Sequence, residues 1–371
     1  MAATDRKLRV ASPLLAAALA LPGILPATVL AQAAPDQGLL QLQYLNYRDW
    51  QPGKNRMSVQ APSIYALVPL SDTWVAEGSI VYDAISGASP KFFNTLSQAT
   101  IGDYRTAGTL KLTKYMGSYA ISVDGAVSSE QDFLSRAAGA QVQLFSDDRN
   151  RTWTLGVAGT SDRINSDNGI AYNEGRNTVD FLVGVTQILN KNAIIQSNLT
   201  YSTGHGYYND PYKSLDTRPS TRDITAWLTR YNQYFPDPDG TLKLAYRLLY
   251  DSFGSTSNML EVSWVQSLPY AWTVTPALRY YTQSAAKFYK NPPWPKGYVD
   301  GENYSADTRL AAFGAFTGGI TVAKLLGDGW TIALRADYYQ QNPSWRLGGD
   351  GSPGIQTFSA RWLQVDLLKT F

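Results

Sequence analysis

The sequence predicts an all-β fold, a transmembrane antiparallel up-and-down β-barrel of about 16 strands after a cleaved signal peptide. Three observations carry that expectation. Polarity alternates with a period of two along almost the whole chain beyond residue 38, with no sustained 3.6-residue period. Short turn-like connections alternate with mostly longer ones, as they do where a barrel keeps tight turns in the periplasm and its loops outside. Trp74, Trp153, Trp272 and Trp330 each follow a short turn with the parity of their strand's apolar face, and Tyr119 repeats the arrangement after Gly117. A soluble sandwich also alternates, but its indoles would occupy unrelated core positions, whereas one register of aromatics is the girdle of a membrane wall.

Composition removes the competing classes. Charged residues make up 17% of the 371, below the ~25% of ordinary soluble domains. A mean hydropathy of −0.24 is nevertheless too polar for a bundle of membrane helices. Beyond the N-terminus no run reaches the roughly 18 apolar residues of a spanning helix. The absence of cysteine excludes disulfides, thiolate metal sites and a lipidated N-terminus, and one histidine argues against His-cluster metal sites. No metal or other cofactor is expected.

Residues 1–33 read as a secretory signal peptide, with Arg6, Lys7 and Arg9 before an apolar stretch and a small-x-small pattern at Ala31, Gln32 and Ala33. Pro22 and Pro26 inside that stretch argue against a retained membrane helix. The leader takes three of the 32 basic residues and one of the 30 acidic ones, leaving 29 of each. A neutral barrel domain over 34–371 offers nucleic acid no basic surface.

In chain order the strands are expected at 39–48, 57–69, 73–84, 105–116, 118–129, 132–145, 151–162, 177–189, 192–203, 223–235, 241–252, 257–267, 271–285, 307–323, 329–341 and 356–371. Seven tight turns, near Asp72, Gly117, Asp148, Lys191, Asp239, Pro269 and Asp328, close alternate pairs. Asp237, Asp239 and Gly240 resemble the opening of a calcium loop, but its twelfth position is Leu248 where a carboxylate is needed, so they read as a turn. The longest connections fall at 85–104, 163–176, 204–222, 286–306 and 342–355. Parity assigns the faces: Trp272, Val274, Pro276, Leu278 and Tyr280 outward, against Thr273, Thr275, Ala277, Arg279 and Tyr281 inward. The last strand carries Leu363, Val365 and Leu367 in phase with Phe371, and Lys369 breaks the pattern at what should be the periplasmic rim.

A barrel of that size encloses water. Inward parity gives it Lys111, Asp124, Asp180, Lys243, Arg247, Glu261, Arg279, Arg335, Asp337 and Asp366, five of each sign, which predicts weak ion selectivity or extensive pairing. Arg247 with Glu261 and Arg335 with Asp366 are the expected pairs. Catalytic constellations are missing: His205, the one candidate base, lies between glycines at a loop mouth, so the chain reads as no enzyme. Acidic groups at 128–132 and 162–167 read as solvated loop carboxylates before cation ligands. Gly314, Gly318 and Gly319 offer a flat wall patch for a homo-oligomer.

Three segments together, residues 82–90 (YDAISGASP), 129–135 (SEQDFLS) and 279–289 (RYYTQSAAKFY), resemble an uncharacterised bacterial outer-membrane β-barrel family catalogued as a domain of unknown function. Ile85 and Phe133 stand where valine and tyrosine are expected. The resemblance implies a fold and the bacterial outer membrane as the location, with lipid and lipopolysaccharide as surroundings, and implies no activity. The three segments flank external loops. Gly87, Ala88 and Pro90 permit the 85–104 loop to fold into the lumen, where Asp83, Glu130, Asp132, Arg279 and Gln283 would surround an upper vestibule. With Arg247, Glu261, Arg335 and Asp337 they are the candidate solute-contacting residues. The function expected is a porin-like channel for small polar or ionic solutes. The alternative is a closed-mouth barrel serving as scaffold or sheath for an envelope partner, a lipoprotein or redox component.

Overall fold

The computed structural model describes residues 33–88, 100–213, 215–291 and 301–371, of which 85–88 and 100–103 are described in their backbone only. All but the last residue of the expected signal peptide, and most of the expected 85–104 loop, lie outside them. Sixteen strands form one closed antiparallel ring: β1 (Leu39–Gln51), β2 (Lys54–Ser71), β3 (Trp74–Ala88), β4 (Thr100–Met116), β5 (Tyr119–Ser129), β6 (Phe133–Phe145), β7 (Arg151–Ile164), β8 (Glu174–Asn190), β9 (Ala193–Gly206), β10 (Thr221–Phe235), β11 (Gly240–Asp251), β12 (Thr256–Leu268), β13 (Trp272–Gln283), β14 (Phe313–Gly327), β15 (Trp330–Asn342) and β16 (Phe358–Thr370). Each strand pairs with its neighbours in sequence, and β1 closes on β16 from Leu39↔Thr370 to Trp50↔Ser359, so no edge is left unpaired.

Alternation along these strands sorts the side chains as expected. On β7 and β8, Trp153, Leu155, Val157, Phe181 and Val183 are exposed on the outer wall, while Thr152, Thr154, Thr160 and Asp180 between them are buried on the inner one. A belt of exposed leucine, valine and phenylalanine running round the ring suits hydrocarbon and not water.

The aromatic girdle is double. On β3, β13 and β15 a tryptophan opens the strand and a tyrosine follows eight residues later on the same face: Trp74 and Tyr82, Trp272 and Tyr280, Trp330 and Tyr338. Each tryptophan lies directly across from a lysine of the next strand, whose ammonium sits over the indole: Lys114 on Trp74 at 5.1 Å, Lys324 on Trp272 at 4.6 Å and Lys369 on Trp330 at 5.3 Å. Lys369, which breaks the apolar pattern of the last strand, thus has a place at the rim, where it also donates to the Asp328 carbonyl. Each tyrosine meets a second aromatic: Tyr82 stacks on Tyr104 (5.8 Å between centroids), while Tyr280 packs tilted against Phe316 (4.8 Å) and Tyr338 against Trp50 (6.0 Å).

Three expectations are corrected. The first hairpin does not open into a loop at 49–56: β1 and β2 stay paired to a two-residue Pro52-Gly53 turn, with Gly53 in the left-handed region at φ 74°. A bulge at Arg56 shifts the alternation by one residue and hides the pairing from a period-two reading. The fourteenth strand begins at Phe313 and not at 307, because Asp307 accepts from the Arg309 backbone N–H and caps a short 3-10 turn, Thr308–Leu310. The glycines of β14 form no patch. A Cβ on Gly314 would overlap the carbonyl of Trp345 in the β15–β16 loop, and one on Gly319 would point inward at Asp337, leaving Gly318 alone with open space.

Candidate functional site

The inner wall is a lattice of short ion pairs between neighbouring strands. Asp83 of β3 accepts from Arg105 Nε of β4 at 2.6 Å, and lower on the same strands Lys111 donates to Glu77 at 3.0 Å. Arg176 of β8 donates through Nε to Asp162 of β7 at 2.7 Å, and Arg222 of β10 to Asp251 of β11 at 3.0 Å. Each pair lies in register or near it, because inward positions of adjacent strands face each other across the ladder.

The two expected pairs are replaced. Glu261 does not bond Arg247; it lies directly opposite Arg279 of β13, whose Nε donates to it at 2.6 Å, while Arg247 faces Met259. Arg335 does not bond Asp366 but turns along its own strand to Asp337, Nε to carboxylate at 2.5 Å. Asp366 accepts instead from Gln41 at 2.9 Å and Gln364 at 2.8 Å. In both cases parity gives the face correctly, and register decides which neighbour is close enough.

The external mouth carries a folded cap. The β9–β10, β11–β12 and β13–β14 loops bring Tyr208, Phe253, Ala286, Phe288 and Leu310 into one buried cluster, with Phe253 edge-on to Phe288 at 5.0 Å and to Tyr208 at 5.8 Å. Above this cluster lies a charge web. Arg218 holds Asp216 through Nε at 2.6 Å and reaches Asp307 at 2.9 Å; Arg309 bonds the same Asp307 and stretches to Asp210 at 2.8 Å. Burial alone would raise the Asp307 carboxyl, but Arg309, Lys213 and Arg218 together hold it well below its ordinary value of 3.8. Burial alone would lower Arg218, and the carboxylates of Asp307 and Asp216 reverse that and raise it. Two wall arginines clamp the cap from below: Arg176 lies over the Tyr208 ring at 5.3 Å and Arg222 over Phe253 at 4.7 Å.

The candidate vestibule residues occupy different parts of this mouth. Asp132, in the tight β5–β6 connection, accepts from the Tyr212 hydroxyl of the β9–β10 loop at 2.9 Å, and burial together with that carboxylate pushes the Tyr212 phenol up. Glu130 donates its backbone N–H to the Phe133 carbonyl to close the same turn. Gln283, at the top of β13, donates to the carbonyls of Arg309 and Ala311 at 2.9 and 2.6 Å and ties the 3-10 turn to the wall. A cavity of about 60 Å³, room for a few waters, lies among Asp132, Phe133, Arg176, Tyr207, Asp210 and Arg309. Of the residues expected to let a loop narrow the lumen, Gly87 and Ala88 are described in their backbone only, as the end of β3, and Pro90 falls outside the described residues. His205 is the penultimate residue of β9, at the mouth of the β9–β10 loop, where it is exposed on the outward parity of the strand, away from the inner wall. Asp239 completes a turn, its N–H donating to the Pro236 carbonyl at 3.1 Å, and Asp162 is committed to Arg176.

Sequence reading missed Glu77, Arg105 and Arg230, whose inward parity was available, and the Trp-to-Tyr spacing of eight, which was legible as a repeat; Arg176 was hidden because β8 begins at Glu174, inside the stretch expected as a loop. It also missed the cap's partners, which no local pattern announces.

A family model described as a protein of unknown function (DUF3570) matches residues 11–100 and 167–362. No curated protein matches the chain. Among solved structures the chain is similar to a bacterial polysaccharide outer membrane secretin, at 9% identity, a TM-score of 0.50 and coverage of 90% of this chain and 98% of that one. It is also similar to CdiB from Acinetobacter baumannii, at 9% identity and a TM-score of 0.52, covering 89% of this chain and 60% of that longer one. At such identities the likeness is one of fold, that of outer-membrane barrels.

Proposed function

Because the chain belongs to the family described as a protein of unknown function (DUF3570), whose name assigns no activity, we propose its role from the barrel itself: an outer-membrane channel passing small polar or ionic solutes by diffusion. The observation that carries this reading is the closed sixteen-strand ring with an apolar outer wall between two aromatic rows and a polar, ion-paired inner wall. Apolar residues outside and charges inside are what a water-filled conduit in lipid requires. Residues 1–33 would deliver it as a cleaved export signal, with outer-membrane lipid and lipopolysaccharide as its surroundings. Asp83, Glu130, Asp132, Arg247, Glu261, Arg279, Gln283, Arg335 and Asp337 are the residues assigned to the solute path. Reconstitution of the mature chain into planar bilayers should give stepwise conductance, and a lumen silent over many insertions would sink the reading.

The cap favours a second reading, a closed-mouth barrel that sheathes an envelope lipoprotein or redox component. The described residues of three loops share one buried aromatic core and a charge web, more order than diffusion alone demands. Silence in bilayers combined with a stoichiometric partner retained in mild detergent supports this role instead.

A further inference from the structure

The outer wall carries a charge arrangement for which a solute path has no use. At the external end of the seam that closes the ring, Arg48 of β1 lies directly opposite Arg361 of β16. Both are exposed and share the outward parity of Tyr44 and Leu363, and neither has an ion pair or a side-chain hydrogen bond among the described residues. The nearest carboxylates on these and the adjoining strands, Asp49 and Asp337, lie on the inner face, beside Arg56 and Arg335. The outward neighbours are uncharged. Ser58 of β2 faces Arg48, Tyr338 of the upper aromatic row faces Arg361, and Asn46, Trp50 and Ser359 lie two residues along the same two strands.

Like charges directly opposite on one face repel, with Cβ atoms about 4.5–5.5 Å apart. Closing the ring does not require them, since the uncharged polar residues around them would serve a headgroup boundary as well. The first hairpin turns through Pro52-Gly53 alone, so it raises no long loop over the pair. An anion held between the two guanidinium groups would remove the repulsion, and the external leaflet of an outer membrane presents one at this height. We propose that Arg48 and Arg361 grip a phosphate monoester of lipid A, the membrane anchor of lipopolysaccharide. Such a group carries about −1.5 to −2 charge at neutral pH, enough to match two arginines, and each guanidinium fork can donate to it through two N–H groups. The phosphodiester of an ordinary phospholipid, with a single charge, leaves one arginine uncompensated. Below the pair, Tyr44, Leu363 and Val365 are exposed on the wall where acyl chains descend. The site rests on the outer-membrane setting of the proposed channel and not on conduction.

Arg136 and Arg163 supply a charge-matched comparison. They too are exposed near the external ends of β6 and β7 on the outward parity, but they lie diagonally, Arg136 opposite Ser161 and Arg163 opposite Leu134, with no aromatic directly across from either. The refolded full barrel, in mild detergent supplemented with lipid A, should retain one lipid A in native mass spectrometry. It should retain about tenfold less of lipid A stripped of its phosphates, or of phosphatidylglycerol. R48Q/R361Q should lower the retained fraction about tenfold, whereas R136Q/R163Q, which removes the same charge, should leave it within about twofold. Retention that ignores the phosphates, or that falls equally in both double variants, overturns the site, because acyl contacts or diffuse charge then hold the lipid. Displacement by an equal concentration of inorganic phosphate overturns the lipid as occupant. A conducting barrel that retains no lipid A overturns the site and leaves the channel standing; one that retains lipid A and never conducts does the reverse. Should R48Q/R361Q fail to refold, the wild-type preference for phosphorylated over stripped lipid A decides.

Discussion

Asp307 is the residue on which the cap turns. It is 2% exposed, closes the 3-10 turn at Thr308–Leu310 and takes both Arg218 and Arg309. Removing one member of a buried pair leaves the other charge stranded in a poor solvent, so Asp307→Asn should cost the cap about 3 kcal/mol. Hydrogen exchange over 301–312 should then quicken while the strands stay protected. A carboxyl held low in the folded state contributes stability above its unfolded value and loses it as pH falls through the lower folded one. The wild-type cap should therefore be tight at neutral pH, begin to loosen only below the ordinary aspartate value of 3.8, and exchange in acid as the Asn variant does at pH 7. A cap equally protected in the variant at neutral pH would place its stability in the aromatic cluster alone. None of this was readable beforehand. Asp210 and Arg218 belong to the β9–β10 loop and Asp307 and Arg309 to the β13–β14 loop, so the contacts span 89 and 99 residues, and only the barrel brings them together.

Elements were more legible than pairs. Period-two alternation locates a strand because one face meets hydrocarbon and the other water, a contrast written into every second residue. It fails where one residue breaks the phase, as Arg56 does in β2, or where a capped turn leads into a strand with no glycine or proline to mark the boundary, as residues 307–312 do before β14. Interior pairing was misread at Arg247 and Arg335 because parity carries no register. The β15–β16 loop offers an element-scale test. Gly314 leaves room for the Trp345 carbonyl, which accepts from the Tyr280 hydroxyl at 2.5 Å, and the Trp345 ring stands edge-on to Phe316 at 5.4 Å. A methyl at 314 must push that backbone away, at about 1–3 kcal/mol for overpacking. Gly314→Ala should expose the 343–350 stretch to protease without altering the strand content seen by circular dichroism, whereas Gly318→Ala, facing open space, should change neither.

At the scale of the whole molecule, the two aromatic rows fix how much bilayer the barrel expects. Eight residues separate each tryptophan from its tyrosine, about 27 Å along a strand and about 20 Å along the membrane normal at a tilt near 40°. That is less than the ~30 Å hydrocarbon core of an ordinary bilayer and suits the thinner outer membrane. The lysine over each tryptophan sharpens the lower boundary, since its ammonium must stay among headgroups while the indole stays just beneath. In a thicker membrane one row or the other sinks into hydrocarbon, dragging either three ammonium groups or three phenol hydroxyls from water. Refolding yield into vesicles, read from the tryptophan emission shift, should therefore be highest for lipids with about twelve-carbon chains and fall for eighteen-carbon ones. Replacing Tyr82, Tyr280 and Tyr338 with leucine removes the upper boundary and should restore insertion into the thicker lipid, while replacing the three lysines with leucine should do the same from below. A yield indifferent to chain length would mean that these rows do not set the barrel's depth, and that its wall tolerates mismatch by some other means.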